Sequence, residues 1–467
     1  MKHVHFIGIG GSGLSAIARL LLESGYTVTG SDRVLSPFAE SLRRDGATVH
    51  IGHDASHIAG ADVVIRSSAI PDDNPEVRAA LQAGIPVLKR ADFVGQLMTD
   101  KTGIAVAGTH GKTTTTAMIA WVLSELGLSP SFIIGGVARN FGVNARAGKG
   151  RYFVVEADEY DNMFLGLKPT IEVVTNVEHD HPDCFPTYLD MLSAFELFVD
   201  LLPSDGSLIA CADDAGAASL LSRARRRGRR VIAYCLESEL TVHSPYWVQA
   251  REIHRNARGG VSFQAYTNLG DRLRSVAVDL RVPGEHNVQN ALAALTVADL
   301  LNLPLEGAAR ALSGYLGTGR RFELRGEVNG IAVYDDYAHH PTEIRATLAA
   351  ARDRYPDRRI WAVWQPHTYS RTQALFDNFT RAFLDADEVI VTEVYAAREP
   401  KQEFSAEQVA RAMRHDSVRF IPTLSEVSAF LLEHLHPGDV VLVLSAGDAD
   451  QISAQVVAGL EKGEKAR

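Results

Sequence analysis

A glycine-bearing run between an apolar strand and a helix constrains this chain more than any other feature. The run reads Val106-Ala-Gly-Thr-His-Gly-Lys-Thr-Thr-Thr-Thr116, and an apolar segment at 117–123 follows it. Backbone N–H groups of such a turn bind phosphates, and the dipole at the start of the next helix assists them. The pattern predicts that Lys112 reaches the β- and γ-phosphates of ATP and that the Thr113 hydroxyl ligates Mg²⁺. The match is incomplete, because Val106 replaces the first glycine of the usual motif.

A second glycine pattern opens the chain. An apolar strand leads into Gly8, Gly10 and Gly13, a helix follows, and the next strand closes on Asp32. This order is typical of a Rossmann dinucleotide fingerprint, although any pyrophosphate attached to a ribose could use the same loop. A third strand ends in Ser67 and Ser68 at the carboxyl edge of the predicted sheet, where open α/β sheets bind ligands. A plain serine-rich turn is an equally good interpretation of this last pair.

Composition and charge exclude several classes of protein. The net charge is −10 and the charges are mixed along the sequence, so nothing indicates nucleic-acid binding. The arginine-rich run at 223–230 lies between a helix and a strand, as expected for a solvated helix end. Three cysteines without paired spacing favour a reducing cytoplasm, and no apolar stretch is long enough to span a membrane. We expect a cytoplasmic protein that is a monomer or homodimer.

Strands and helices alternate along nearly the whole chain, which predicts an α/β protein with parallel sheets. At 467 residues the chain is long enough for about three domains. We predict a Rossmann-like domain over 1–99, a central phosphate-loop domain over 100–318 and a second Rossmann-like domain over 319–467. The segment 248–282 alternates with polar breaks and predicts a small antiparallel addition to the central sheet. A hinge is expected at 317–321, and a continuous helix is expected at 373–384 in the third domain.

Acidic and histidine residues follow two strands of the central domain. One strand ends in Glu156-Ala-Asp-Glu-Tyr-Asp161, and the next ends in Asn176-Val-Glu-His-Asp-His181. Carboxyl ends of parallel strands share one edge of the sheet with the phosphate loop, so we expect these side chains to converge on a bound triphosphate. Mg²⁺ prefers oxygen ligands that it shares with phosphates. A closed structural zinc site is disfavoured, since Cys184 is the only nearby thiol.

With these motifs the chain resembles the Mur ligases of peptidoglycan synthesis. The resemblance spans nearly the whole sequence and also rests on four later motifs: His286-Asn-Val-Gln-Asn290, Gly319-Arg-Arg-Phe-Glu323, Asp335-Asp-Tyr-Ala-His-His-Pro341 and Gln365-Pro-His-Thr-Tyr-Ser-Arg371. It is closest to the branch that joins L-alanine to UDP-N-acetylmuramate with ATP through an acyl phosphate. Several sister ligases hold a second metal ion with a carbamylated lysine, and this chain has no lysine between Lys168 and Lys401.

The resemblance implies roles for individual residues. Lys112 would bind the β- and γ-phosphates, Thr113 and Glu156 would hold one Mg²⁺, and His181 would support a second metal ion. ATP would contact the phosphate loop and the later asparagines, together with the hinge arginine: Gly108, Thr109, His110, Gly111, Lys112, Thr113, Thr114, Asn287, Asn290 and Arg321. Arg321 and Asp336 would close onto the nucleotide, which completes the catalytic set of Lys112, Glu156, His181, Arg321 and Asp336.

The remaining implied residues would bind the two other substrates. The UDP part of the sugar nucleotide would lie on Gly10, Gly11, Gly13, Asp32, Ser67 and Ser68. The alanine and acyl-phosphate end would be shaped by Tyr337, His339, His367 and Arg371. Asn287 and Asn290 could instead be helix-capping residues. His340 is interpreted as a packing or turn residue, and Phe322 as a core residue.

Three other functions stay open at this point. A ligase that attaches a recycled murein tripeptide to UDP-N-acetylmuramate would share the motifs of the first two domains. A nucleotide-binding regulator with a silent site is disfavoured by the intact Lys112, Glu156 and His181. An NAD-dependent dehydrogenase rests on the N-terminal fingerprint alone.

Overall fold

The chain folds around three separate β-sheets. The computed structural model describes residues 2–67, 69–236, 244–270 and 272–465. Its sheets contain five, ten and six strands in chain order. Within the described residues, no helix is both long and apolar enough to cross a membrane.

The first sheet is parallel throughout and has the order β3-β2-β1-β4-β5. Its strands are β1 (His3–Ile7), β2 (Thr27–Asp32), β3 (Thr48–Ile51), β4 (Val63–Arg66) and β5 (Val87–Lys89). The helices are α1 (Ser12–Glu23), α2 (Pro37–Arg44), α3 (Pro75–Gln82) and α4 (Arg90–Leu97). The strand order reverses direction between β1 and β4, so the glycine loop after β1 opens at a topological switch point.

The central sheet places the phosphate-loop strand between the two acidic strands. Its order is β15-β14-β13-β12-β11-β10-β6-β9-β7-β8. The strands are β6 (Thr102–Ala107), β7 (Ser131–Ala138), β8 (Val143–Arg146), β9 (Tyr152–Glu156), β10 (Ile171–Val174), β11 (Ser207–Cys211), β12 (Arg230–Cys235), β13 (Tyr246–Arg255), β14 (Val261–Thr267) and β15 (Arg274–Asp279). Parallel β9 and β10 flank β6, so their ends converge as predicted. The antiparallel addition is also confirmed, since β14 runs antiparallel to both β13 and β15.

Among the described residues, five α-helices lie on the central sheet. They are α5 (Lys112–Glu125), α6 (Tyr188–Val199), α7 (Ala215–Arg226), α8 (Glu285–Leu300) and α9 (Leu305–Ser313). The helix α8 is buried along most of its length, which explains its almost uninterrupted run of alanine, leucine and valine. It packs against α5, so the residues that open both helices face one region.

The third sheet has the order β16-β17-β21-β18-β19-β20, and only the β16–β17 pair is antiparallel. Its strands are β16 (Glu323–Val328), β17 (Ile331–Asp336), β18 (Ile360–Trp364), β19 (Glu388–Val391), β20 (Val418–Phe420) and β21 (Val440–Leu444). The helices are α10 (Pro341–Arg354), α11 (Tyr369–Ala374), α12 (Phe376–Phe379), α13 (Glu407–Ala412), α14 (Leu424–His434) and α15 (Asp450–Lys465).

One predicted helix of the third domain is wrong. The pattern at 373–384 predicted a continuous helix, whereas α11 and α12 are two short helices separated by Leu375, whose φ of −107° and ψ of 22° leave the helical range. Trp364 stacks on Phe379 at 4.5 Å and tilts against Phe383 at 5.4 Å. Packing around this tryptophan therefore orders the segment without a regular helix.

Hydrophobic packing divides the molecule into unequal parts. One continuous core runs from Val4 to Tyr315 and joins the first two sheets. The third sheet has a core on each face, formed by residues between Ile331 and Val456. The first two sheets therefore share their interior, while the third keeps its own.

Candidate active site at the phosphate-loop edge

The phosphate loop has the geometry that its sequence predicts. Gly108 has a φ of +140°, and a Cβ atom there would lie 1.9 Å from Thr175 Oγ1, so only glycine fits. The helix α5 begins at Lys112 after Gly111, and none of the described side chains caps its free N–H groups. Such a helix start binds anions. Val106 is a regularly paired residue of β6 without a positive φ, so this position does not require glycine.

Lys112 is held in a ring of oxygen atoms. Its Nζ donates to Gly108 O at 2.5 Å, to Thr109 O at 3.1 Å and to Glu159 Oε1 at 2.8 Å. Burial disfavours the charge on Lys112, but the nearby carboxylates, led by Glu159, outweigh this effect and raise the pKa of Lys112. The lysine is therefore a fixed positive charge at the end of the loop.

Thr113 and Glu156 offer two oxygen ligands for a metal ion. Because Val106 and Glu156 are partners in the β6–β9 register, the end of β9 lies beside the start of α5. Thr113 Oγ1 donates to Glu156 Oε1 at 2.9 Å, and Gly135 N donates to the other carboxylate oxygen at 2.6 Å. A hydroxyl and a carboxylate in this position, beside a phosphate loop, fit Mg²⁺ well.

His181 lies in the loop that follows β10 and has an uncommon backbone conformation. Its φ is +53°, and its N–H donates to Asp180 Oδ1 at 2.7 Å. Its Nε2 lies 3.8 Å from Glu159 Oε1. Burial opposes the charge on Asp180, but Arg371 and His181 outweigh this effect and hold the pKa of Asp180 well below its usual value. The strained histidine is thus fixed beside two carboxylates.

A cavity of about 620 Å³ opens next to the loop. Eight of the residues predicted to bind or act on ATP line it: His110, Gly111, Thr113, Thr114, Asn287, Asn290, Arg321 and Asp336. The capping interpretation of the asparagines does not hold, because Gly284 is the N-cap of α8. Thr115 Oγ1 instead donates to Asn290 Oδ1 at 3.0 Å and ties α8 to the helix of the phosphate loop. The cavity walls come from both the central and the third domain.

The third domain contributes charges to this cavity. Arg321 Nη1 lies 3.6 Å from Glu343 Oε1, and its guanidinium covers the ring of Tyr337 at 5.2 Å. Asp336 accepts hydrogen bonds from Phe322 N and Ala338 N, both at 2.7 Å. Burial raises the pKa of Asp336 to about 6.

The residues expected at the amino-acid end form one patch. The ring of His339 lies 5.4 Å from Tyr337 and 5.8 Å from His367. Arg371 donates to His367 Nδ1 at 2.9 Å and to Asp180 at 2.7 Å. Burial lowers the pKa of His339 to about 3 and that of His367 to about 4, so both rings are neutral near pH 7. Arg371 is the cation that contacts His367.

The glycine loop of the first domain is built around Asp32. Gly10 N donates to Asp32 Oδ2 at 2.8 Å, and α1 starts after Gly11 without a side-chain cap. A Cβ atom on Gly13 would lie 1.9 Å from Arg90 Nη1, which places a guanidinium at the loop. Ser67 closes the adjoining turn, where its Oγ accepts from Ala69 N at 3.3 Å. Ser68 lies outside the described residues.

Profiles of known protein families match this chain along most of its length. Three family profiles match in order: the Mur ligase family catalytic domain at residues 3–102, the Mur ligase middle domain at 106–298 and the Mur ligase glutamate ligase domain at 320–447. The UDP-N-acetylmuramate–L-alanine ligase of Desulfosudis oleivorans is 43% identical, and the alignment covers 98% of this chain and 99% of that protein. The chain belongs to the Mur ligase family.

Solved structures of Mur ligases agree with this assignment. The UDP-N-acetylmuramate-alanine ligase of Thermotoga maritima is 28% identical with a TM-score of 0.80, and all of both chains is covered. A murein peptide ligase from Psychrobacter arcticus is 27% identical with a TM-score of 0.73, covering 98% of this chain and 99% of that one. The predicted resemblance and the three-domain α/β fold class are confirmed.

His110 is the centre of an ionic network that the sequence did not reveal. In this Mur ligase its Nε2 lies 3.0 Å from Glu178 Oε2 and its Nδ1 lies 3.2 Å from Glu343 Oε1. Burial opposes the charge, but the hydrogen bonds to both carboxylates outweigh it and raise the pKa of His110 to about 9. Glu178 also accepts from Thr342 Oγ1 at 2.7 Å. The loop histidine is therefore a cation that links the central domain to α10.

Two further features of the Mur ligase site follow from this network. In the part of the chain that the structure describes, the ligand atoms of His110, Glu178 and His340 lie within 4.8 Å of one another. Both ring nitrogens of His110 lie at hydrogen-bond distance from carboxylates, so we interpret this set as an ion-pair cluster. His340 is the N-cap of α10, as its interpretation as a turn residue anticipated, and Phe322 packs against the core of the third domain.

Sequence reasoning missed Glu343, Glu178 and Arg90. Glu343 is the N3 residue of the capping box of α10. This local role gives no indication of its contact with His110. Glu178 was noted within its acidic cluster without a role of its own. Arg90 directly follows β5 at the ligand edge of the first sheet, and that position was the available signal.

Proposed function

We propose that this Mur ligase joins L-alanine to the carboxylate of UDP-N-acetylmuramate with ATP, as a step of peptidoglycan precursor synthesis. The observation that carries the proposal is the 43% identity over essentially full length to ligases of that name. The phosphate loop and the acidic strand ends beside it support an ATP-dependent reaction.

We assign one substrate to each domain. Residues 1–99 would hold the UDP-sugar on the glycine loop (Gly10, Gly11, Gly13), Asp32, Ser67 and Ser68, with Arg90 as an added cation. Residues 100–318 would hold ATP. Residues 319–467 would close on ATP and on the amino acid. The three separate sheets, one in each of these regions, support this division.

The chemistry requires an activated carboxylate. A free carboxylate is a poor acyl donor, because its leaving group would be oxide. Transfer of the γ-phosphoryl group of ATP gives an acyl phosphate, and attack by the alanine amine then expels phosphate. Lys112 and Arg321 would stabilise charge on the transferring phosphoryl oxygens, and the loop would align the reacting groups.

Residues of this chain fit the metal ions that such a reaction uses. Thr113 and Glu156 would hold one Mg²⁺, and His181 would support a second divalent cation. When bound, these ions would neutralise negative charge on the phosphates and on the substrate carboxylate.

The amino-acid end would be formed by Tyr337, His339, His367 and Arg371. The guanidinium of Arg371 is the group suited to the alanine carboxylate. The neutral rings of His339 and His367 add no further charge beside the Arg371–Asp180 ion pair. Closure of the third domain, with Asp336 and Arg321 on its inner side, would exclude the water that hydrolyses acyl phosphates.

The decisive experiment measures ADP release. We expect release only when UDP-N-acetylmuramate, Mg²⁺ and L-alanine are all present. The alternative is a ligase that uses a preformed murein tripeptide. The structural likeness to a murein peptide ligase supports this alternative. Release with the tripeptide and none with alanine would replace our assignment by that alternative.

The cellular location, the oligomeric state and the partners of the enzyme are also predictions. We propose a cytoplasmic enzyme, monomeric or homodimeric, that binds neither nucleic acid nor membrane. Light scattering during size-exclusion chromatography measures the oligomeric state directly.

A further inference from the structure

Glu76 is a buried carboxylate in the first turn of α3, in the first domain. Its side chain is fully buried. Its Oε2 accepts from Ser31 Oγ at 2.5 Å, and its Oε1 lies 2.7 Å from His57 Nδ1 and accepts from Asp54 N at 3.4 Å. Burial of a carboxylate is costly unless its charge and lone pairs are matched. Glu76 is therefore fixed in place by residues from two other segments of the chain.

Histidine rings surround this carboxylate. Burial opposes the charge on Glu76, but its contacts with His5, Ser31 and His57 outweigh this effect and lower the pKa of Glu76 to about 2. His5 Nε2 lies 3.8 Å from Glu76 Oε2, and His53 Nδ1 lies 3.3 Å from the same oxygen. Glu76 is thus an anion at neutral pH, and the proposed reaction gives it no role.

Ser31 connects this carboxylate to the glycine loop. Its side chain donates to Glu76, and its main-chain oxygen accepts from Gly8 N at 2.8 Å. The next residue, Asp32, accepts from Gly10 N at 2.8 Å through its side chain. The position of the Ser31–Asp32 corner therefore sets the position of the glycine loop.

The loop after β3 is held by the same carboxylate. Gly52 N donates to Asp32 O at 2.8 Å, so this loop begins against the end of β2. His53 and His57, which follow in the loop, both contact Glu76. The three segments lie at the carboxyl ends of β1, β2 and β3, which is the edge where open α/β sheets bind ligands.

We propose that Glu76 is a positioning residue of the sugar-nucleotide site, which sets the relative positions of the glycine loop, the end of β2 and the loop after β3. The inference rests on the proposed function, since it concerns the site assigned there to the UDP part of the substrate. Because Glu76 is fully buried, it acts on a ligand only through these three segments. A change at Glu76 should therefore weaken binding of the sugar nucleotide and leave the ATP site of the central domain unaffected.

The test measures the kinetic constants of Glu76→Gln for each substrate separately. We expect the KM for UDP-N-acetylmuramate to rise about tenfold, because the amide has one acceptor oxygen in place of two and carries no charge. The value of kcat and the KM for ATP should match those of the wild type. A loss of folded protein would instead lower kcat and leave both KM values unchanged.

Glu40→Gln is the matched control. Glu40 lies in the first turn of α2, which is an eight-residue helix of the first domain, as α3 is, but its side chain is exposed. The substitution makes the same chemical change without disturbing a buried contact. All three kinetic constants should equal those of the wild type.

A second variant tests the link to the glycine loop. Ser31→Ala removes the hydroxyl group that donates to Glu76 but keeps the main-chain oxygen that accepts from Gly8. We expect the KM for UDP-N-acetylmuramate to rise about fivefold. The double variant Ser31→Ala/Glu76→Gln should resemble Glu76→Gln alone, because both substitutions remove the same contact.

The outcomes separate the two proposals. An unchanged KM for UDP-N-acetylmuramate in Glu76→Gln, or a fall in kcat alone, would overturn the positioning role and leave the proposed function standing. If Glu76→Gln does not fold, Ser31→Ala decides, and a wild-type KM in that variant would contradict the link. ADP release by the wild type that does not depend on UDP-N-acetylmuramate would overturn the proposed function itself.

Discussion

The two boundaries between neighbouring domains differ in the contacts that form them, because one is apolar and the other is ionic. Between the first and central sheets, α1 packs on β7 and β8, and the hydrophobic core continues without a break. Between the central and third sheets, the buried contacts beside the active site are ionic: Arg371 with Asp180, and His110 with Glu343. An apolar boundary resists sliding, whereas an ionic one can be remade when charged ligands bind. We therefore expect the third domain to be the one that moves.

The largest expected effect comes from truncating one large buried side chain in the shared core of the first two domains and one in a core of the third domain. Phe93 is fully buried in the shared core, and Phe379 is fully buried in a core of the third domain. Each change to alanine should cost about 3–5 kcal/mol of unfolding free energy. In urea unfolding, Phe93→Ala should shift one joint transition of the first two domains, and Phe379→Ala a separate one. A shift of all three domains together in both variants would contradict the division.

A smaller effect is expected from the ionic boundary. Asp180→Asn leaves Arg371 buried without its counter-charge, but the amide oxygen can still accept its hydrogen bond. We place the loss at about 3 kcal/mol, the lower end of values for broken buried pairs. Because this pair joins the central and third domains, the loss should appear as weaker docking of the third domain and as slower ADP release. The unfolding transition of the first two domains should not move, and a movement there would argue against a local role.

The next effect depends on pH and tests the His110 contact. The pKa of His110 is raised from 6.5 to about 9, so its stabilisation is complete below pH 6.5 and is lost as pH rises through 9. Each charged hydrogen bond contributes about 1.5 kcal/mol. Glu178, Glu343 and His340 face the ring, and the pKa of each lies well below this window. Small-angle scattering should show the third domain opening at high pH, and His110→Asn should flatten the profile.

The smallest effect is expected at the exposed rim of the apolar boundary. Lys89 Nζ lies 3.3 Å from Asp161 Oδ2, and both side chains are substantially exposed. Such pairs contribute less than about 1 kcal/mol. Lys89→Met should therefore leave the urea midpoint nearly unchanged. A large shift would mean that this boundary, too, depends on ion pairs.

The sequence predicted the parts of the site that depend on local order. A phosphate loop and two strand-end clusters converge because neighbouring parallel strands bring their carboxyl ends together, and Lys112, Thr113, Glu156 and His181 follow from that rule. The role of each in catalysis stays a prediction.

Other parts depend on how domains dock, which periodicity does not encode. His110 and Glu343 are separated by 233 positions, and their contact requires α10 to face the phosphate loop. The broken helix near Leu375 has a similar cause, because packing around Trp364 overrides a helical pattern.

The continuity of the first core also has a consequence for synthesis of the protein. Its members extend from Val4 to Tyr315, so a growing chain cannot complete this interior until about two thirds of the protein has left the ribosome. Until then its apolar strands stay exposed, which is the condition under which nascent chains aggregate or need chaperones. The third domain, whose cores begin at Ile331, can fold afterwards against a finished surface.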